Sequence, residues 1–140
     1  MNDRQGSLTY QVIGALHAVE TRLEEALEPL GLSLAKFGVL CQLVAAHEPL
    51  PLRTLAERCA CVRSNITQLI DRLEAEKLVA RADDPRDRRS VRAELTAEGR
   101  SRHSAGARVL EKAERDLFSH LPEKQRTDLL QMLRSLAERN

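Results

Sequence analysis

Aromatic residues are scarce in this 140-residue sequence: two Phe, one Tyr and no Trp make up 2% of the chain. Proteins that hold single strands or RNA usually stack bases on aromatic side chains, so this scarcity disfavours that class. The sequence has no apolar run of about 18 residues, which a membrane-spanning helix requires. Its first residues, MNDRQGSLTY, have no signal-peptide core. We therefore expect a cytoplasmic protein without a membrane partner.

Cysteine is also scarce, and the three that are present do not form a C-x-x-C pair. An odd number without that spacing disfavours a disulfide framework and a four-ligand zinc site. The four histidines lack the i, i+4 spacing of helical metal ligands. There is no Gly-rich phosphate loop, and no nucleophile and base stand at motif spacing. We predict a protein without a metal, a cofactor or enzymatic activity.

Charge is unevenly distributed along the chain, although the net charge is only +1. Residues 1–49 carry 3 basic and 6 acidic side chains, whereas residues 50–102 carry 12 basic and 9 acidic ones. Phosphate binding requires a surplus of positive charge at the contacting element. The middle of the chain is therefore the candidate for contact with nucleic acid, and a few well-placed arginines would supply it.

The stretch from Val62 to Thr96 organises the chain, and its first part predicts an amphipathic helix. Apolar residues at i, i+3, i+4 and i+7 give that helix one buried face, formed by Ile66, Leu69, Ile70 and Leu73. The opposite face is short and polar, and it carries Ser64, Gln68 and Ala75, flanked by Asn65 and Arg72.

The second part of this stretch predicts a β-hairpin. Leu78 and Val79 precede the charged turn ARADDPRDRRS, after which Val91, Ala93 and Leu95 alternate with polar residues. A polar-faced helix followed by a hairpin with an arginine-rich tip is the layout of a winged helix-turn-helix, which binds double-stranded DNA. We predict a mainly α fold with a small β-hairpin wing.

Helices are predicted on both sides of this stretch. Residues 9–29 carry an apolar stripe and end at Pro29 and Gly31. Ser33 is placed to cap a second helix, whose predicted buried face is Phe37, Leu40, Cys41 and Val44. A third helix covers about 52–59, a fifth runs from Thr96 to about Leu117, and a last one starts at Pro122.

These elements predict a single domain over residues 1–140. The winged helix-turn-helix covers about 33–96, and the apolar-striped helices at about 9–30 and 97–140 are predicted to dimerise. Dimerisation would present two recognition helices one duplex turn apart.

The segments LAERCACVRSNITQLIDRLEAEKLVAR and DDPRDRRSVRAELTAEGR resemble the MarR family of bacterial transcription regulators. The wing motif D-x-R-D-x-R and the following L-T-x-x-G correspond to Asp84, Arg86, Asp87, Arg89, Leu95, Thr96 and Gly99. The close match covers about 50 residues. The resemblance implies a homodimer that binds palindromic promoter DNA, usually as a repressor. It also implies a pocket between the dimer helices and the DNA-binding part, where a small-molecule effector weakens DNA binding.

Two residues depart from the family pattern. Lys77 stands where family members usually have the Gly that ends the recognition helix in a left-handed turn, and Val62 replaces the usual Ser or Thr cap. Each change costs roughly 1 kcal/mol if the usual conformation is kept. The sequence therefore does not fix the first and the last residue of the recognition helix.

The candidate DNA-binding residues fall on the recognition helix, the wing and the preceding helix. Ser64, Asn65 and Gln68 are predicted to meet base edges, since Asn and Gln pair bidentately with adenine. Flanking and N-terminal residues are predicted to touch the DNA backbone; these are Arg63, Thr67, Arg72, Arg53 and Thr54. Asp71 faces outward and is predicted to pair with an arginine such as Arg72 or Arg63. The alternative is an ordinary solvated helix face.

The wing carries Arg86, Arg88 and Arg89. Arginine gains from the negative potential of a narrow minor groove, and Arg86, next to the tip, is the first candidate. Asp84 and Asp87 are predicted to orient these arginines by bidentate pairing. The alternative is a solubilising charged turn.

Two other hypotheses use the same scaffold. Cys59 and Cys61 flank Ala60 in the turn before the recognition helix, so oxidation or metal binding there would distort that helix and make a thiol-based sensor. Against it, Cys41 and Cys59 occupy apolar positions where a small hydrophobic residue suffices. The second alternative is a helical interaction protein that has lost DNA binding. His17, beside the first apolar stripe, could line an effector pocket or a dimer contact.

Overall fold

The computed structural model describes residues 6–60 and 63–139, with only the backbone of residues 63 and 64. The elements are α1 (Leu8–Leu27), a 3-10 turn (Glu28–Leu30), α2 (Leu34–Ala46), β1 (Leu50–Pro51), α3 (Leu52–Arg58), α4 (Arg63–Ala75), β2 (Val79–Asp84), β3 (Asp87–Leu95), α5 (Ala97–Phe118) and α6 (Glu123–Ala137). The predicted mainly helical fold with a small β wing is confirmed. Val62 and Cys61 lie outside the described residues.

Side-chain caps fix two of the helix starts. The Ser33 hydroxyl accepts the backbone N–H of Lys36 at 3.1 Å, as predicted for the start of α2. The Thr96 hydroxyl accepts the N–H of Gly99 at 2.9 Å and starts α5. The same Thr96 hydroxyl lies 2.7 Å from the carbonyl oxygen of Lys77. Thr96 therefore ties the start of α5 to the end of the recognition helix.

The recognition helix, α4, ends in a left-handed turn at Lys77, which has φ +64°. The N–H of Leu78 donates to the Leu73 carbonyl at 2.9 Å, and the N–H of Lys77 donates to the Glu74 carbonyl at 2.9 Å. This pair of hydrogen bonds is the Schellman motif, in which glycine is preferred at the left-handed position. The departure at residue 77 thus changes the residue and keeps the conformation.

Replacing Lys77 with glycine is expected to stabilise the protein. A left-handed conformation costs an L-residue roughly 1–2 kcal/mol, part of which glycine loses again through unfolded-state entropy. We expect Lys77→Gly to raise the free energy of unfolding by about 1 kcal/mol, measured by urea denaturation. Lys77→Ala is the control, since it removes the same charged side chain and keeps the strain. An equal rise in both variants would contradict this reason.

The three strands form one antiparallel sheet in the order β1-β3-β2. Val79 pairs with Leu95 and Arg81 pairs with Ala93, while a register shift between Asp83 and Asp84 marks a bulge next to the turn. The two-residue strand β1 adds to the predicted hairpin and pairs with the other edge of β3. A strand of two residues has no alternation to detect in a sequence, so only the hairpin was predictable.

The core lies where α2, α3, α4 and the sheet meet. Leu55 of α3 is buried, as are Ile66, Ile70 and Leu73 of the predicted inward face of α4; Leu69, the fourth residue of that face, is half-buried. The prediction for α2 needs correction, because its buried residues are Val39, Leu40 and Leu43, whereas Phe37, Cys41 and Val44 are half-buried. This helix is apolar on most of its circumference, so the spacing alone did not identify its buried face.

Phe37 and His103 join α2 to α5. Their rings stack with centroids 5.2 Å apart and an interplanar angle of 4°. Burial, and then the charge of Arg100, lower the pKa of His103 below its ordinary 6.5. The folded protein therefore favours the neutral imidazole at this contact.

Stability is expected to fall on mild acidification through His103. A lowered folded-state pKa means that the contribution is present above the unfolded-state value of about 6.5 and is lost as the pH falls through the folded value. We expect His103→Phe, which keeps an aromatic ring, to flatten the pH dependence of the free energy of unfolding between about pH 7.5 and 5.5. His120→Gln, at an exposed position, should keep the wild-type slope. An unchanged slope in His103→Phe would contradict the assignment.

Both ends of the described chain expose apolar side chains. Leu8, Ile13 and Leu16 of α1 are 84%, 56% and 56% exposed. On α6, Met132 and Leu136 are 58% and 62% exposed, and α6 has no buried residue. Contiguous exposed apolar surface of this kind marks interaction sites in proteins.

Within the described ranges, no single helix combines the length and the apolar character needed to cross a bilayer. The segments Leu8–Leu30 and Leu34–Ala46 satisfy both criteria only when they are counted together, and they meet at a bend of 75°.

Candidate DNA-binding surface

The outward face of α4 is polar and lies opposite the core. Ile66 and Ile70 are fully buried, and Asn65, Gln68 and Arg72 are exposed on the other side. Thr67 is exposed on the flank. The structure therefore brings these four predicted contact residues to the solvent side of one helix. The side chains of Arg63 and Ser64 lie outside the described part, although both residues belong to the first turn of α4.

The preceding helix, α3, is short and packs against α4. Arg53 is exposed and Thr54 is half-buried in its first turn. Leu55 and Ala56 are buried beneath them. The predicted α3 residues are thus placed at the helix start, where backbone N–H groups and side chains commonly contact phosphate.

The wing is the turn between β2 and β3, and its arginines are exposed. The Asp84 carboxylate accepts the backbone N–H of Arg86 at 2.9 Å, and the Asp87 carboxylate accepts that of Arg89 at 3.0 Å. The structure thus differs from the predicted bidentate pairing, because each carboxylate holds the backbone two residues ahead. The ion pairs formed within the described ranges do not include Arg86, Arg88 or Arg89. Their guanidinium groups are available to an external anion.

Arg81 joins the recognition helix to the wing. Its guanidinium lies 2.5 Å from an Asp71 carboxylate oxygen and 2.9 Å from a Glu74 carboxylate oxygen. Its backbone N–H donates to the second Glu74 oxygen at 2.9 Å. The guanidinium also donates to the carbonyl oxygen of Thr67 at 3.5 Å. The Arg81 side chain on β2 therefore contacts three residues of α4.

This arrangement corrects the prediction for Asp71. Its partner is Arg81 on β2, and Arg72 of its own helix is not paired with it in the ion pairs of the described residues. The reason is tertiary: β2 packs beside α4 and brings Arg81 within reach of the carboxylate. Sequence analysis did not identify Arg81 as a site residue, since neighbours across two elements leave no periodic signal.

The Arg81 contacts also set the charge of the helix flank. The backbone N–H of Arg81, and then its guanidinium, hold the pKa of Glu74 below its ordinary value. Glu74 is therefore ionised at neutral pH and paired with Arg81. Two carboxylates beside α4 would repel a phosphate group that approached this helix, and Arg81 offsets that repulsion.

The cysteines in the described ranges occupy positions that would suit any small apolar side chain. Cys59 packs against the core at the end of α3, and burial raises the pKa of the Cys41 thiol. Burial thus keeps Cys41 protonated, which is the less reactive form. Cys61 lies outside the described residues. Where the chain is described, no group of three or more His, Cys, Asp or Glu residues could hold a metal ion.

Two cavities are lined by residues of α1. One, of about 430 Å³, is lined by His17, Glu20, Thr21, Glu24, Glu25, Glu28 and Leu32. His17 lines this cavity, and its predicted role at an effector pocket or a dimer contact stays a prediction. The other, of about 470 Å³, lies between α1, α2 and α5. Both volumes are within the range of small-molecule sites.

Comparison with known proteins relates this surface to a family. Residues 32–91 match the MarR family. The chain is 34% identical over 83 residues to YkoM, an uncharacterized HTH-type transcriptional regulator of Bacillus subtilis. It is 35% identical over 81 residues to MdtR, an HTH-type transcriptional repressor of the same organism. These alignments cover 59% and 58% of this chain and 50% and 52% of the relatives, so the chain spans about half the length of the curated relatives it matches.

Solved structures extend the likeness over the whole chain. The transcriptional repressor CouR bound to a 23-mer DNA duplex is 28% identical, with a TM-score of 0.88 over 99% of this chain and 97% of that one. CouR from Rhodococcus jostii RHA1 bound to p-coumaroyl-CoA is 25% identical, with a TM-score of 0.81 over 100% and 98%. Fold, wing motif and matched residues agree with the resemblance drawn from the sequence: residues 32–91 of this chain belong to the MarR family, and the whole chain has the winged helix-turn-helix fold of the repressor CouR.

Proposed function

We propose that this chain is a homodimeric transcription repressor that binds a pseudo-palindromic operator and is released by a small-molecule effector. The observation that carries the proposal is the polar face of α4 beside three arginines of the wing that form none of the described ion pairs. Arg81 fixes these two elements relative to each other. A helix and an arginine turn in fixed relation can enter adjacent grooves of one duplex.

The roles of the individual residues follow from their positions. We assign Asn65 and Gln68, with Ser64, to base edges in the major groove. Arg86 is assigned to the minor groove, with Arg88 and Arg89 beside it. The remaining predicted contacts are assigned to the DNA backbone; they are Arg53, Thr54, Arg63, Thr67 and Arg72. Asp84 and Asp87 shape the wing backbone that presents the arginines.

The apolar ends of the chain support a dimer. α1 and α6 expose large apolar side chains that an isolated chain would leave in water, and burying them releases roughly 25 cal/mol for each Å². We assign residues 9–30 and 97–140 to this association and residues 33–96 to DNA binding. A two-fold dimer presents two copies of α4 to half-sites about one duplex turn apart. CouR, which shares the fold, is a repressor solved with a DNA duplex.

Selection from a random duplex library tests the proposal and identifies the operator in the same experiment. We expect recovered sequences to contain two symmetric half-sites with centres about 10 base pairs apart, and sedimentation to give a dimer. Arg86→Ala should weaken binding to the selected duplex by roughly tenfold, as loss of one groove-inserted arginine does. Arg22→Ala removes the same charge on α1 and should change the affinity little. Recovered sequences without symmetry, or a monomer on the duplex, would overturn the proposal.

A further inference from the structure

The cavity between α1, α2 and α5 combines aromatic and apolar walls with carboxylates. Leu23 of α1, Phe37 of α2, and Leu110 and Phe118 of α5 line it, and all four are half-buried. Phe37 and Phe118 are the two phenylalanines of the sequence, so both lie at this one cavity. Half-buried rings and aliphatic groups around about 470 Å³ can accept an apolar molecule of one or two rings.

The polar side chains that line this cavity are acidic. They are Glu111 and Glu114, one helical turn apart on α5, and the lining contains no Lys or Arg among the residues described. Glu111 lies 3.6 Å from Arg115. Arg115 also lines a second groove, between α5 and α6, together with Arg126. Glu114 takes part in none of the ion pairs found in the described ranges. Glu114 also lines the groove that contains Arg115 and Arg126, and of the two cavity carboxylates it is the one that no arginine pairs with in the described ion pairs.

The charge at the cavity selects among effectors. A carboxylate-bearing ligand would place like charges together, whereas an organic cation would pair with Glu114 and rest against aromatic rings, which attract cations. The second cavity beside α1 is also negatively charged, because its described lining contains four glutamates and no Lys or Arg. Both crevices that border α1 therefore favour positive charge.

We propose that the effector of this regulator is a hydrophobic organic cation, such as an aryl-alkyl amine, held between α1, α2 and α5 with Glu114 as its counterion. The inference deepens the proposed function and rests on it. The ligand would contact Phe37, whose ring stacks on His103. Gly106 allows the close approach of this ring, because a Cβ at that position would lie 2.9 Å from Phe37. A ligand in contact with Phe37 would therefore change how α2 packs against α5.

Ligand binding would affect DNA binding because α2 packs against α3 and α4, the helices of the proposed DNA-binding surface. Leu40 and Leu43 of α2 lie in the core with Leu55 of α3 and Ile66 of α4. A ligand that prefers one spacing of α2 and α5 shifts the population toward it by its differential affinity. Release from DNA then requires that this spacing fit the operator less well.

Three probes with one ring system test the charge preference: 1-naphthylmethylammonium, 1-naphthylmethanol and 1-naphthoate. We expect calorimetry on the intact protein to show the ammonium binding about fivefold more tightly than the alcohol, the size of a partly exposed ion pair. The naphthoate should bind more weakly than the alcohol. Only the ammonium should release a labelled operator duplex at low concentration.

One variant at a cavity carboxylate and one at a carboxylate outside the cavity locate the counterion. Glu114→Gln should make ammonium and alcohol affinities equal and leave the alcohol affinity unchanged. Glu123→Gln, outside the cavity, should keep the wild-type ratio. Naphthoate binding as tightly as the ammonium, an unchanged ratio in Glu114→Gln, or no binding of any probe would overturn the inference. Each of these outcomes leaves duplex binding by the unliganded protein intact, whereas loss of that binding would instead overturn the proposed function.

Discussion

Replacing Gly99 with alanine is expected to destabilise the protein by about 3 kcal/mol, the upper end of the usual cost of overpacking. Gly99 is buried in the first turn of α5. A Cβ there would overlap the backbone carbonyl oxygen of Leu78 and lie 2.8 Å from the Leu95 side chain. The backbone on both sides is fixed by Thr96, whose hydroxyl contacts Leu78 O at 3.0 Å and Gly99 N at 2.9 Å. Neither side can yield without breaking these hydrogen bonds.

Chemical denaturation of Gly99→Ala measures this effect, and Gly38→Ala is its matched control. Gly38 lies in the interior of α2, where an added Cβ meets no atom within 4 Å. Alanine is the better helix former by about 1 kcal/mol, so this control should gain stability. A loss of less than about 1 kcal/mol in Gly99→Ala, the low end for overpacked sites, would show that the contact between α5 and the end of α4 is looser than these distances indicate. The contact also gives the L-T-x-x-G motif a physical reason, since Thr96 and Gly99 act on the same carbonyl.

Arg81→Ala is expected to lower operator affinity by about tenfold. The variant removes one positive charge and releases Asp71 and Glu74 beside the DNA-facing helix, and both changes raise the electrostatic cost of approaching phosphate. It also removes the side-chain contacts from β2 to Thr67, Asp71 and Glu74 of α4, while the backbone N–H of residue 81 can still donate to Glu74, so the wing and the recognition helix are held together less firmly. Fluorescence anisotropy with the selected duplex at two salt concentrations measures the affinity and its salt dependence.

A second substitution separates charge from positioning. Adding Asp71→Asn to Arg81→Ala removes one released carboxylate, so a partial recovery of affinity would assign the loss to repulsion. Arg81→Lys keeps the charge and loses the forked contact to both carboxylates, and should fall between wild type and Arg81→Ala. Affinity equal to wild type in Arg81→Ala would contradict a role for Arg81 in DNA binding.

The sequence carried enough information to predict α4 and the wing, because both have strong local patterns. Four apolar residues at helical spacing defined the buried face of α4, and three of them, Ile66, Ile70 and Leu73, are fully buried. Alternation after a charged, Pro-containing turn defined the hairpin. The cap at Ser33 was likewise a local feature of side-chain chemistry, whereas Lys77 gives no local signal for the left-handed turn, which only the family pattern suggested.

Contacts between elements were not predictable in the same way. The partner of Asp71 depends on how β2 packs beside α4, and spacing along α4 suggested an arginine of the same helix instead. In β3 the alternation predicted Val91 inward, yet it is 39% exposed. It lies beside the bulge at the tip, beyond the part of the sheet that covers the core. For α2, apolar residues surround most of the helix, so burial was decided by the neighbouring elements.

The exposure of α6 makes the order of the C-terminal end depend on the concentration of the protein. An isolated helix of 15 residues, the length of α6, is marginal in water without tertiary contacts, and none of its side chains is buried within one chain. In the proposed dimer, the order of this segment would come from association, so it would depend on protein concentration. Dilution should then expose the C-terminal end to proteases before the DNA-binding part unfolds.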